Sequence, residues 1–258
     1  MRDSGCAGVF MLNVIDHGVI RELQLDHPPA NALRAPLLSA LRHAIDSAPR
    51  EGAQALVISG VPGYFSVGLD VPYQLEQDQQ AANLVFHEIF ATMRAVGTSR
   101  LPIVAAVEGH AVGGGAMIAL FCDYRIMAAG AYKMGLPEVH VGLPIPPVIY
   151  NVVGRLIGPR LAERLCVEGR LVDTEEAGRI GLVDEVAPTE EVKGKALSWC
   201  QRILELPARA MRLTRAASRV EIATLLASFG WEELDELAAG WSGEETQTAL
   251  RKVVERIK

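Results

Sequence analysis

Four cysteines, Cys6, Cys122, Cys166 and Cys200, are scattered through 258 residues without a Cys-x-x-Cys pair. That spacing argues against zinc and disulfide frameworks, so no metal site is expected, and it fits a reducing cytoplasm. An excess of basic residues is also missing. Lys and Arg number 25 against 31 Asp and Glu, for a formal charge of −6. Nucleic acid is therefore not expected as a partner, because phosphate binding needs a basic field. A local basic patch for a small anionic ligand remains compatible with this balance. Mean hydropathy is +0.19, yet the most apolar stretch, 101–121, is broken by Pro102, Glu108, His110 and several glycines. A spanning helix needs about 20 predominantly apolar residues, so this segment reads as core and no membrane partner is expected. The first ten residues carry no apolar run with a small-residue cleavage site. Either Met1 or Met11 can serve as the start. There is no low-complexity linker and no repeat of fixed period.

Several catalytic signatures are also absent. Tyr64 stands where a G-x-S-x-G nucleophile turn needs its first glycine. His87-Glu88 is followed by Ala91 where a zinc helix needs its second His. Gly113-Gly114-Gly115 lacks the Lys-Ser/Thr of a nucleotide phosphate loop, and Ile118 takes the last glycine place of G-x-G-x-x-G.

What is present is a folded α/β chain. Half the residues are hydrophobic and 22% charged, which excludes a mostly disordered polypeptide. Alternation over 19–25 predicts a strand, and Leu33, Leu37, Leu38, Leu41 and Ile45 fall at helical spacing. Short apolar strands are expected at 55–59, 103–107 and 124–127, with helices at 81–96 and from Gly113 to Leu120. Strand–helix alternation of this length implies crossover connections. After Pro146-Pro147, which suits a helix start, helical patterns dominate, with one more strand expected over 181–186. From about 197 onward the pattern is helix after helix, around Trp199, around Met211, over 220–238 and over 243–257. The expected division is a core of 1–196 and a helical region of 197–258.

Three segments carry chemistry. Residues 64–70 and 107–115 are glycine-bearing stretches where a strand gives way to a loop or helix. At the second, free backbone N–H groups at a helix N-terminus suit a negative charge developing on oxygen, although close helix–strand packing explains such glycines equally well. The third is 134–144, where Glu138 sits in an apolar, Gly/Pro-shaped stretch. Desolvation there would raise its pKa and let it act as a base; the plain alternative is a capping or ion-paired glutamate. His140 reads as a packing or surface residue.

In this order and spacing the segments resemble the crotonase (enoyl-CoA hydratase/isomerase) superfamily across nearly the whole chain. Pro28-Pro29-Ala30-Asn31-Ala32-Leu33 is similar to its P-x-N-A-L, and Phe65-Ser66-Val67-Gly68-Leu69-Asp70 to its F-S-A-G-x-D. Residues 109–115 match its triple-glycine motif, followed by Cys122-Asp123-Tyr124-Arg125-Ile126. Residues 177–184 are similar to its A-x-x-x-G-L-V-d. The resemblance implies a spiral of ββα turns over 1–196 with a C-terminal helical trimerisation region over 197–258, assembled as homotrimers or as hexamers built from two trimers. It implies an acyl-coenzyme A thioester as substrate and no separate cofactor. The thioester oxygen would be held by the backbone N–H groups of Leu69 and Gly114. Ala30, Ala32, Val67, Gly68, Asp70 and Val71 would hold the coenzyme, with the Val67 carbonyl on the adenine.

Departures from the family pattern narrow the chemistry. Hydratases of the family carry a second glutamate just after the triple glycine, where this chain has Met117, a side chain that cannot exchange a proton. Glu138 alone remains, a pattern similar to the Δ3,Δ2-enoyl-CoA isomerases, in which one carboxylate moves a proton between carbons 2 and 4. The dienoyl isomerases use a further aspartate where this chain has Pro146. The expected activity is conversion of 3-enoyl-CoA to trans-2-enoyl-CoA. The alternatives are a hydratase-like enzyme or another acyl-CoA lyase or hydrolase of the superfamily and, from another class, a non-catalytic acyl-CoA-binding subunit. Met117, Leu136, Leu143 and Ile145 are candidates for an apolar acyl pocket or for ordinary core. Trp231, Leu234, Leu237, Ala238 and Trp241 form an apolar helical stripe facing the core or another subunit. Lys252, Arg256 and Lys258 form a basic end, either solvated or near coenzyme phosphates of a neighbouring subunit.

Overall fold

The computed structural model describes residues 11–257. The readings of residues 1–10, including Cys6, and of Lys258 lie outside the described residues, as do those of the Trp231 and Arg256 side chains. A hairpin of β1 (Leu12–His17) and β2 (Ile20–Leu25) precedes helix α1 (Ala35–Ser47). Three turns of a spiral follow. The first is β3 (Ala55–Ser59), β4 (Gly63–Ser66), α2 (Val71–Gln74) and α3 (Gln79–Thr98). The second is β5 (Ile103–Val107), β6 (Gly109–Val112) and α4 (Gly114–Leu120). The third is β7 (Tyr124–Ala128), β8 (Lys133–Gly135), a 3₁₀ turn (Glu138–Val141), α5 (Pro147–Ile157) and α6 (Pro159–Glu168). Then come β9 (Leu171–Asp173), α7 (Thr174–Ile180) and β10 (Glu185–Ala187), and a tail of α8 (Val192–Leu204), α9 (Ala208–Ser218), α10 (Val220–Ser228), α11 (Trp231–Trp241) and α12 (Glu244–Ile257).

Each spiral turn gives one strand to each of two sheets. The larger sheet has the order β1-β2-β3-β5-β7-β10 and the smaller β4-β6-β8-β9. Pairing is parallel throughout except for β1 with β2 and β8 with β9. The turns are uneven in length because α3 has 20 residues and α4 has 7, which is why no sequence period reveals them. Strands β3 and β5 are buried along their whole length, as parallel strands covered on both faces must be. Leu56, Ile58, Ile103 and Ala105 face the main core, whereas Ala55, Val57, Val104 and Ala106 face a second cluster with Val192, Ala196 and Cys200 of α8. The expected division at 196/197 falls inside α8, a helix that covers the back of the large sheet.

Differences from the sequence expectations have local causes. The strand expected over 181–186 begins only at Glu185, because α7 runs to Ile180 and Gly181 ends it in the left-handed region at φ +80°, leaving residues 181–184 as the turn into β10. The helix expected over 220–238 is two helices. Phe229 turns extended between them and stacks on Phe90 at 4.8 Å. Of the apolar stripe, Leu234, Ala238 and Trp241 are buried in this chain's own core, so that face meets the core.

Candidate active site

The strand ends of the small sheet place the three chemistry-bearing segments side by side. Residues 67–70 leave β4 and are fastened to the 31–33 segment, where Leu33 N donates to Gly68 O at 2.7 Å and Asp70 N donates to Leu33 O at 3.0 Å. Ser66 Oγ donates to Asn31 O at 2.7 Å and accepts from Gly68 N at 3.1 Å. Asn31 is itself locked, its amide donating to the carbonyls of Leu25, Tyr64 and Phe65 at 3.1–3.2 Å. The triple glycine leaves β6 and is tied to β8 by Gly113 N donating to Gly135 O at 2.9 Å.

Two glycines permit the close approach. Gly68 has φ +85°, and a Cβ there would stand 2.8 Å from Val112 O and 3.2 Å from Gly114 N. Gly113 has φ +56°, and a Cβ there would stand 3.1 Å from Glu138 Oε1. Any L side chain at either position would be both strained and obstructed. The Leu69 and Gly114 N–H groups donate no hydrogen bond among the described residues. Gly114 N lies in the first turn of α4, where the backbone leaves its donors free.

Glu138 opens the 3₁₀ turn that follows β8. As a residue it is half-buried, but its Oε2 is buried without a hydrogen-bond partner. Desolvation pushes its pKa up to about 7 against a small opposing contribution from its own backbone N–H. The carboxyl group is thus poised between acid and base near neutral pH.

Val67, Gly68, Leu69, Val71, Gly114 and Glu138 all line one cavity of about 850 Å³. Ala30, Ala32 and Asp70 are absent from its lining. Ala30 O accepts from Val67 N at 3.3 Å, and Ala32 O accepts from the His27 ring at 2.7 Å. Asp70 caps α2 by accepting from Tyr73 N at 3.1 Å and pairs with Arg34 Nε at 2.7 Å, the guanidinium lying 3.9 Å above the Tyr73 ring. Of the four apolar residues weighed for an acyl pocket, only Leu143 lines this cavity. Met117 is 6% exposed in the main core, Leu136 borders a small void, and Ile145 lines a separate groove.

Sequence reasoning missed the roof. Trp241 and one face of α12 close the cavity, with Glu244, Thr248 and Lys252 one helical turn apart along that face. Thr246 Oγ1 donates to Gly142 O at 3.2 Å, docking α12 on the turn that carries Glu138. Lys252 therefore borders the cavity of its own chain. His140 also lines it, its Nε2 2.8 Å from Glu168 O; since a carbonyl only accepts, Nε2 carries the hydrogen.

The family model for enoyl-CoA hydratase/isomerase matches residues 15–256. The chain belongs to that family. Human "Enoyl-CoA delta isomerase 1, mitochondrial" is 30% identical over 239 residues, which are 92% of this chain and 79% of that protein. "Crotonyl-CoA hydratase" of Syntrophomonas wolfei is 30% identical over 241 residues, covering 92% of each chain. The crystal structure of human mitochondrial delta3-delta2-enoyl-CoA isomerase superposes with a TM-score of 0.89 at 28% identity, covering 96% of this chain and 98% of that one. The two-sheet spiral is the crotonase fold, and an acyl-CoA thioester is the substrate consistent with an enzyme of the enoyl-CoA hydratase/isomerase family.

Proposed function

We propose that this enzyme isomerises 3-enoyl-CoA to trans-2-enoyl-CoA with Glu138 as its single acid/base. The observation that carries this reading is the desolvated Glu138 carboxyl group, its Oε2 buried without a partner, beside two free N–H donors, with Met117 buried in the core instead of a second glutamate at the triple glycine. The thioester oxygen accepts from Leu69 N and Gly114 N. Glu138 takes a proton from carbon 2, and the electron pair delocalises as a dienolate onto that oxygen. The same carboxylic acid returns the proton to carbon 4, leaving the double bond between carbons 2 and 3. No atom is gained or lost, so one carboxyl group suffices. Two aligned donors stabilise the enolate charge where it develops, each worth roughly 3 kcal/mol in comparable sites.

Hydration is the second reading. The crotonyl-CoA hydratase relative supports it, as do Glu244 and Glu245 of α12, which line the same cavity and offer a second carboxylate. Product analysis separates the two. Purified protein given trans-3-hexenoyl-CoA is expected to form the conjugated 2-enoyl isomer, and given crotonyl-CoA to form 3-hydroxybutyryl-CoA at least 100-fold more slowly. Comparable rates on both would replace isomerisation with hydration as the principal reaction. Binding of both without turnover would favour the non-catalytic subunit.

A further inference from the structure

A second, mainly apolar cavity, of about 530 Å³, lies between residues 144–148 and helices α10 and α11, with Ile145, Phe229 and Leu237 among its walls and Glu233 and Glu236 of α11 also lining it. It adjoins the Glu138 cavity through two chain crossings. Leu143 and Trp241 line the first cavity, while their immediate chain neighbours, Pro144 and Gly240, line the second. Leu143 is buried, and Trp241 is 4% exposed with its ring edge set against Phe86 at 5.8 Å. The indole is therefore braced by α3 and is not free to swing aside as an exposed side chain would be. Leu143, Trp241 and their backbone thus stand where the two cavities come together.

We infer that Trp241, together with Leu143, sets the length of acyl chain the site accepts by closing the Glu138 cavity off from the second groove. This rests on the acyl-CoA reading above. A short chain with its thioester at Leu69 and Gly114 is accommodated on the Glu138 side of these two residues. A longer tail meets the indole and the Leu143 side chain, and the mainly apolar groove that would suit its methylenes lies beyond them. Truncating the indole opens that route, and each methylene then buried adds about fourfold in affinity.

The test compares six- and twelve-carbon ligands on wild type, Trp241→Ala, Leu143→Ala and Trp241→Phe. Calorimetry gives Kd for hexanoyl-CoA and dodecanoyl-CoA, and kinetics give kcat/KM for trans-3-hexenoyl-CoA and trans-3-dodecenoyl-CoA. Wild type is expected to favour the six-carbon chain at least tenfold. Trp241→Ala should move the twelve-to-six ratio at least tenfold toward the long chain, Leu143→Ala should move it in the same direction, and Trp241→Phe should hold it within about threefold. If Trp241→Ala fails to fold, Leu143→Ala carries the test. A wild type indifferent to length, or ratios unmoved in folded Trp241→Ala and Leu143→Ala, overturns the inference. Binding ratios that shift as expected in a protein without isomerase activity uphold the length gate and reject the isomerase reading. Isomerase activity with unmoved ratios does the reverse.

Discussion

At the scale of single residues, the site depends on atoms that are missing as much as on those present. Gly68 is the clearest case, because its φ of +85° and the 2.8 Å clearance to Val112 O leave no room for a methyl group. Gly68→Ala is expected to lower kcat on trans-3-hexenoyl-CoA about 100-fold by misaligning the adjacent Leu69 and Gly114 donors. Left-handed strain costs about 1–2 kcal/mol of stability at the same time, read as a modest fall in Tm. Steady-state kinetics on folded protein check this, and a kcat within threefold of wild type would count against the two-donor arrangement. Glu138 stood out in the sequence as a lone acid in an apolar stretch, a pattern that a capping glutamate also fits, and its reading as the base came from the family resemblance. Asn31, Ser66 and Arg34 were not recognised as supports, since their partners are backbone carbonyls and an aspartate roughly 35 positions away in sequence, a separation no local pattern encodes.

At the scale of elements, strong periodicity was readable and short strands were not. Strands β3 and β5 fall where their continuous apolar runs predict, and α1 and α3 within two residues of expectation. Strands β4, β6, β8 and β9 have only three or four residues each, too few for alternation to register, and they form the sheet that carries the site. The docking of the helical tail was equally hidden. Asp123 accepts from Arg215 Nε and Nη2 at 2.9 and 2.8 Å, from Arg219 Nη1 at 3.0 Å and from Ile103 N at 2.7 Å, pinning α9 and its junction with α10 to the end of β5. Asp123→Ala leaves two largely buried guanidinium groups without their carboxylate. The expected loss is about 3–5 kcal/mol, measured as a lower urea midpoint, and a change under 1 kcal/mol would show that this cluster does not hold the tail.

At the scale of the whole molecule, the spiral explains why segments some 23 to 71 residues apart in sequence meet. Each turn delivers one strand to the small sheet, and consecutive strand ends place residues 67–70, 113–115 and 138 next to one another. The tail then folds back, so that α12 roofs the cavity and docks on the turn bearing Glu138. Burial of the Glu138 carboxyl group raises its pKa to about 7. Because the base must be ionised to accept a proton, activity is lost as pH falls through that value. The deciding measurement is the pH profile of kcat/KM for trans-3-hexenoyl-CoA in wild type and Glu138→Gln. Wild type is expected to fall tenfold per pH unit below about 7 and to level above it, with Glu138→Gln at least 100-fold lower and without that limb. A Glu138→Gln variant within tenfold of wild type, with the same acidic limb, would contradict Glu138 as the acid/base.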